Sequence, residues 1–341
     1  MDRWSGVVRI SLNSSSSPLA PFFTVGASLL LSPSPSSSSS SSSSSQTLAV
    51  PSVNAIFFNG DRVDRTGNPV IERLSDPQHI AQVLVSKLGT TANAWVIGAS
   101  SFAGPFAVYK ELVPSVDRFG DPKCYDPSGF PALTSTAAIL AKAVQEVKTI
   151  ISESQSRPRT SDIHVPLSPT SQPKTVLLGF SKGGIVINQI LTELAHLTPE
   201  STGILADNKE SSIEAHHTTM DHICPTSKDS LFSSISEIHY VDVGLNSSGA
   251  YLNNQTTIKN ALKRMLSYHS NVCFILHGTP RQWSDKNRRW IRKEKDILLQ
   301  LLRAEANNSE GRLQVKEKLY FDSMPPSLQM HFEIIEKLDV C

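Results

Sequence analysis

Ser181 stands in the middle of Gly179-Phe180-Ser181-Lys182-Gly183, a G-x-S-x-G pentapeptide. A serine hydroxyl is a weak nucleophile until a base takes its proton, and the base needs a third group to hold its tautomer. The pattern carries meaning only where a strand turns sharply into a helix. That context is present. An apolar run over 176–180 has the length of a buried strand, and Ile185, Ile187, Ile190, Leu191, Leu194 and Leu197 follow at helical spacing. Gly179 and Gly183, two residues either side, let neighbouring backbone approach the turn. Ser181 is then expected at the carboxyl edge of a sheet, beneath a helix N-terminus whose unpaired N–H groups suit a developing oxyanion. The plainer alternative is a glycine-rich turn with a structural serine.

The partners must lie downstream, because enzymes with this turn run in the order serine, acid, histidine. His331 lies beyond the last predicted strand and is the expected base; His277 competes but ends a strand that falls too early. Two acids remain open. Asp242 ends a predicted strand over 238–242, whereas Asp285 lies in the turn after the strand over 272–277. Within that turn Arg281 occupies the place where an acid is usual. The oxyanion donors are expected to be the N–H of Lys182 and that of Gly60 or Asp61, in the loop after a strand over 55–58.

The elements that must position these groups alternate along the chain. Strands are expected at 55–58, 94–98, 176–180, 238–242, 272–277 and 319–321. Between them, helices are expected from Asp76-Pro77, over 133–151, after Ser181, over 258–268 and over 290–304, with a last one beginning at His331-Phe332. The fold class is therefore α/β, a mostly parallel sheet of about six strands between two helix layers. The stretch 99–130 has no clear period and is expected to roof the pocket.

Composition bounds the rest. The chain has 341 residues and a formal net charge of +1, which argues against a nucleic-acid partner. Its four cysteines lack paired spacing, and no apolar run reaches membrane-span length. Residues 1–47 contain one acid, Asp2, two arginines, and a serine run over 36–45. They are expected to be a disordered transit peptide ahead of a single domain over 48–341. Polar inserts are expected near 153–174 and 199–230. His216, His217, His222 and Cys224 in the second lack a ligand set, so no metal is expected, and no cofactor motif is present. The expected partner is a small-molecule or acyl substrate.

Several landmarks together resemble a known family: Phe58-Asn-Gly-Asp61, Trp95-Val-Ile97, Cys124-Tyr125-Asp126, the Ser181 pentapeptide with Asn188-Gln189, Asp242-Val-Gly244, Thr279-Pro280 with Gln282, Asp285, Trp290-Ile291 and His331-Phe332. The chain resembles the eukaryotic mitochondrial family typified by human chromosome two open reading frame sixty-nine. It departs from that pattern at Asn59, where proline is usual, and at Gly184, where cysteine is. The resemblance implies an α/β-hydrolase-like fold and a mitochondrial address; the composition of the first residues leaves chloroplast or cytosol as alternatives. It implies no settled substrate, and both Asp242 and Asp285 match family positions. Two functions are carried forward: a serine hydrolase acting on an ester, thioester or amide, and a catalytically idle hydrolase-fold protein that binds a ligand or partner.

Overall fold

The run 176–180 becomes the centre of a sheet because its side chains are buried on both faces, as parallel strands between helices require. The computed structural model describes residues 2–12, 21–33, 46–63, 65–154, 172–197 and 222–340. Its strands are β1 (Arg3–Ile10), β2 (Phe23–Pro33), β3 (Gln46–Leu48), β4 (Val53–Asn59), β5 (Ala92–Gly98), β6 (Ser101–Ala103), β7 (Phe106–Val108), β8 (Lys174–Phe180), β9 (Ile235–Val241), β10 (Val272–Gly278) and β11 (Leu313–Leu319). The helices are α1 (Pro69–Arg73), α2 (Pro77–Leu88), α3 (Pro131–Ser154), α4 (Gly184–His196), α5 (Lys228–Ser234), α6 (Gln255–Tyr268), α7 (Pro280–Trp283), α8 (Arg289–Asn307) and α9 (Leu328–Lys337).

Among the described residues the main sheet has nine strands, in the order β1-β2-β5-β4-β8-β9-β10-β11 with β3 on β2. From β5 to β11 neighbours are parallel; β1, β2 and β3 pair antiparallel. Residues alternate between two apolar clusters. Ala55 and Phe57 pack with α1, α2 and α9, whereas Ile56 and Phe58 pack with α3, α4, α6 and α8. The result is three layers. No helix among the described residues is long and apolar enough to cross a membrane.

Three expectations need correction. The sheet has nine strands, not about six, and the last covers Leu313–Leu319 instead of 319–321. That edge strand reads Leu-Gln-Val-Lys-Glu-Lys-Leu and is largely exposed, so it lacks the apolar run that marks a buried strand. Second, the described residues before 48, namely 2–12, 21–33 and 46–47, do not stand outside the domain. β1 and β2 are sheet strands, and β2 pairs with β5 from Val25↔Ile97 to Ser28↔Ala94. The serine runs hid them: a composition averaged over the segment masks Phe23, Val25, Ala27 and Leu29, all buried. Arg3, counted as a targeting charge, instead donates from Nη2 to the carbonyl of Ser28 at 2.9 Å and from Nη1 to that of Thr90 at 2.9 Å. Third, the end of the second insert is part of the core, with Ile223, Cys224 and Thr226 buried. The rest of the inserts, residues 155–171 and 199–221 including His216 and His217, lies outside the described residues. Among the described residues no His, Cys, Asp and Glu group is arranged to hold a metal.

Candidate active site

Four buried side chains meet where β4, β8 and β9 end and α9 begins: Asp61, Ser181, Asp242 and His331. Ser181 follows β8 and opens a single 3₁₀ turn that leads into α4. Its φ is +50°, a conformation that costs a non-glycine residue of the order of 1–3 kcal/mol and persists only where packing imposes it. The packing is tight. A Cβ on Gly183 would come within 1.9 Å of the Phe58 carbonyl oxygen, and one on Gly60 within 2.2 Å of the Lys182 nitrogen. Gly179 is also hemmed in, its would-be Cβ lying 2.8 Å from the Gly183 carbonyl oxygen.

Asp242 leaves β9 at φ +43° and is fully buried. Its carboxylate accepts from the Thr279 N–H at 2.7 Å and from the Thr279 hydroxyl at 2.9 Å. These bonds hold one oxygen 2.6 Å from His331 Nδ1. His331 rides on the first turns of α9, whose N-cap Ser327 accepts from the Met330 N–H. The imidazole lies against the Phe180 ring, with centroids 4.6 Å apart. Asp285 is not brought to this site. It accepts from the Asn287 N–H and pairs with Arg288 Nε at 2.8 Å. His277 is buried elsewhere, between His239 and Tyr320.

The unforeseen member is the Asp61 side chain. Its Oδ2 accepts from Ser181 Oγ at 2.9 Å and lies 2.9 Å from His331 Nε2. The carboxylate thus stands where a direct serine–histidine hydrogen bond would run. Burial pulls the His331 pKa down, but the hydrogen bonds and charges of Asp242 and Asp61 overcome it and raise it to about 9. Both acceptors thus favour the protonated form of the ring at neutral pH. The sequence points to the backbone N–H of this loop and not to its carboxylate. The available signal was an acid directly after the glycine at a strand end.

The oxyanion expectation is corrected in one respect. The Gly60 N–H donates to the Phe180 carbonyl at 3.0 Å and is not available. The N–H groups of Lys182 and Asp61 make no turn, loop or cap hydrogen bond among the described residues. The Lys182 side chain turns to the roof, pairing with Asp121 and the Phe119 carbonyl while its Nζ sits 5.1 Å over the Phe106 ring. Tyr125 donates to the Gly249 carbonyl at 2.6 Å and accepts from Asn188 of α4 at 2.9 Å. The stretch 99–130 is therefore a fastened cover, with β6 and β7 forming a hairpin at its start. Beneath it lies a cavity of about 150 Å³ lined by Asp61, Phe106, Ser181, Arg281, Gln282 and His331 among others.

A family model described as C2orf69 matches residues 132–307, a span that includes Ser181 and Asp242 but neither Asp61 nor His331. The Danio rerio protein called "Mitochondrial protein C2orf69 homolog" is 24% identical over 324 residues, 91% of this chain and 80% of that protein. "Mitochondrial protein C2orf69" of Homo sapiens is 28% identical over 160 residues, 47% of this chain, and the match spans only 32% of the human protein. Among solved structures, the siderophore hydrolase EstA of Aspergillus nidulans superposes with a TM-score of 0.43 at 16% identity, covering 98% of this chain and 95% of that one. The acyl-protein thioesterase 2 of Zea mays gives 0.39 at 13% identity, covering 85% and 93%. A mixed sheet between helix layers, with serine, aspartate and histidine at its carboxyl edge in that chain order, is an α/β-hydrolase-like fold.

Proposed function

The chain belongs to the C2orf69 family, whose model covers just over half of it, and from that premise we propose that it is a serine hydrolase of esters, thioesters or amides. The observation that carries the reading is the 2.6 Å bond between His331 Nδ1 and Asp242, at the sheet edge where Ser181 emerges with a positive φ. Ser181 Oγ attacks the scissile carbonyl carbon while its proton passes to His331 Nε2. Asp242 holds the ring and offsets the charge that forms. The carbonyl oxygen, now negative, takes hydrogen bonds from the N–H groups of Lys182 and Asp61. Collapse breaks the bond to the leaving group, which departs with the proton from His331. Water then repeats the sequence on the acyl-enzyme and frees the acid.

For the first transfer the Asp61 carboxylate turns out of the gap between Ser181 and His331, and the imidazolium releases its Nε2 proton to solvent water, leaving Nε2 free to accept the Ser181 proton. The relatives' names place those proteins in the mitochondrion, and the proposal extends that address to this chain. Labelling of the purified protein by a fluorophosphonate, with Ser181→Ala as control, tests the chemistry. Native protein is expected to label and the variant not.

One observation favours the second reading, a hydrolase fold that binds without turnover: Ser181 donates to Asp61 and not to His331. Native protein that stays unlabelled across neutral and alkaline pH, while still folded, would favour it.

A further inference from the structure

Arg281 stands at the turn after β10, where an acid is usual, and the proposed chemistry gives it no task. It lines the cavity that also holds Ser181 and His331. The other cations of that cavity are paired: Lys182 with Asp121, and Arg288 with Asp285. Arg281 forms no ion pair and no hydrogen bond among the described residues, and its Nε is buried with no acceptor. A buried donor without an acceptor is a cost to the folded chain that a ligand can remove. A guanidinium presents parallel N–H donors to a planar oxyanion, and carboxylate fits that fork.

We propose that Arg281 selects a substrate whose short acyl group ends in a carboxylate, so that the enzyme cleaves half-esters or half-thioesters of dicarboxylic acids. The inference rests on the hydrolase reading and names its substrate class. The cavity, at about 150 Å³, admits a chain of only a few carbons. Asp61 faces the same space, which disfavours a doubly charged phosphate relative to a singly charged carboxylate.

Three 4-nitrophenyl esters of matched length test this: the hemisuccinate, the neutral pentanoate, and the 3-phosphonopropionate. The native protein is expected to prefer the hemisuccinate over the pentanoate by at least about tenfold in kcat/KM. In Arg281→Gln that ratio should fall to one or below, and in Arg281→Lys, which keeps the charge but loses the fork, it should lie between. Thermal melting serves as the folding control. A native ratio near one, a ratio unmoved by Arg281→Gln, or preference for the phosphonate would overturn the assignment. Calorimetric binding of succinate to native protein and to Arg281→Gln separates this failure from that of the hydrolase reading. Succinate binding that needs Arg281 in a protein that turns over no ester keeps the anion site and removes the hydrolase. Ester turnover without preference, and without succinate binding, does the reverse.

Discussion

The Asp61 carboxylate accepts the Ser181 hydroxyl at 2.9 Å, across 120 residues of sequence. The same oxygen sits 2.9 Å from His331 Nε2, so one side chain sets the resting state of both groups the reaction needs. Its removal has a definite sign. A base must be neutral, and His331 is held protonated up to about 9 by Asp242 and Asp61. The rate of fluorophosphonate labelling is therefore expected to rise with pH toward that value. Asp61→Asn removes one of the two charges and should move the rising limb to lower pH. A limb that stays in place would show that Asp61 does not control the proton on His331.

The two candidate acids separate by substitution. Asp242→Asn should leave the fold intact yet cut turnover by several powers of ten, because the ring loses the partner that sets its tautomer. Asp285→Asn breaks only a partly exposed pair with Arg288, and such pairs contribute about 0–1 kcal/mol. Its turnover should stay within about threefold of native. Comparable losses in both variants, measured on one ester, would contradict the assignment.

Stability should fall with rising pH in two windows. Burial lifts the Glu193 carboxyl from 4.5 to about 7, against the pull of hydrogen bonds from the Leu133 and Ala132 N–H groups and Gln189. His331 is lifted from 6.5 to about 9. In each case the folded state holds the proton more tightly, so the stabilisation is complete below the lower value and lost through the higher. For His331 the loss between pH 6.5 and 9 is of the order of a few kcal/mol. Urea midpoints at pH 6, 7.5 and 9.5 measure it. His331→Gln should abolish the upper window and keep the lower one.

Deleting residues 2–47 should unfold the domain. It removes β1 and β2 and exposes the β5 edge. Val8, Ile10, Phe23, Val25 and Leu29 are all buried. At about 1.5–3 kcal/mol for each large apolar side chain, their loss is on the order of 10 kcal/mol. That rivals the entire net stability of a typical domain, about 5–15 kcal/mol. A truncated protein that melts cooperatively at the native temperature would show the two strands to be dispensable.

What the sequence alone determined was local in origin. Strand, turn and helix around Ser181 are neighbours in the chain, so spacing and glycines sufficed to read them. Asp76-Pro77 announced α2, and Asp76 indeed accepts from the Gln78 N–H at 3.0 Å. Asp242 and His331 were reachable as candidates because one ends an apolar run and the other follows the last strand. Only tertiary structure shows that Asp242 and not Asp285 contacts the imidazole, since hydrogen bonds from Thr279, 37 residues away, aim the first at it. It also withdrew the Gly60 N–H, which the Phe180 carbonyl occupies once β4 and β8 pair. The placing of Asp61 between serine and histidine joins three strand and helix ends that no periodicity relates. β2 read as non-strand because averaging over the neighbouring serine runs masked its own apolar residues, and the charged edge strand β11 because it has no apolar run to read. For β11, pairing with β10, not its own residues, is what makes it a strand.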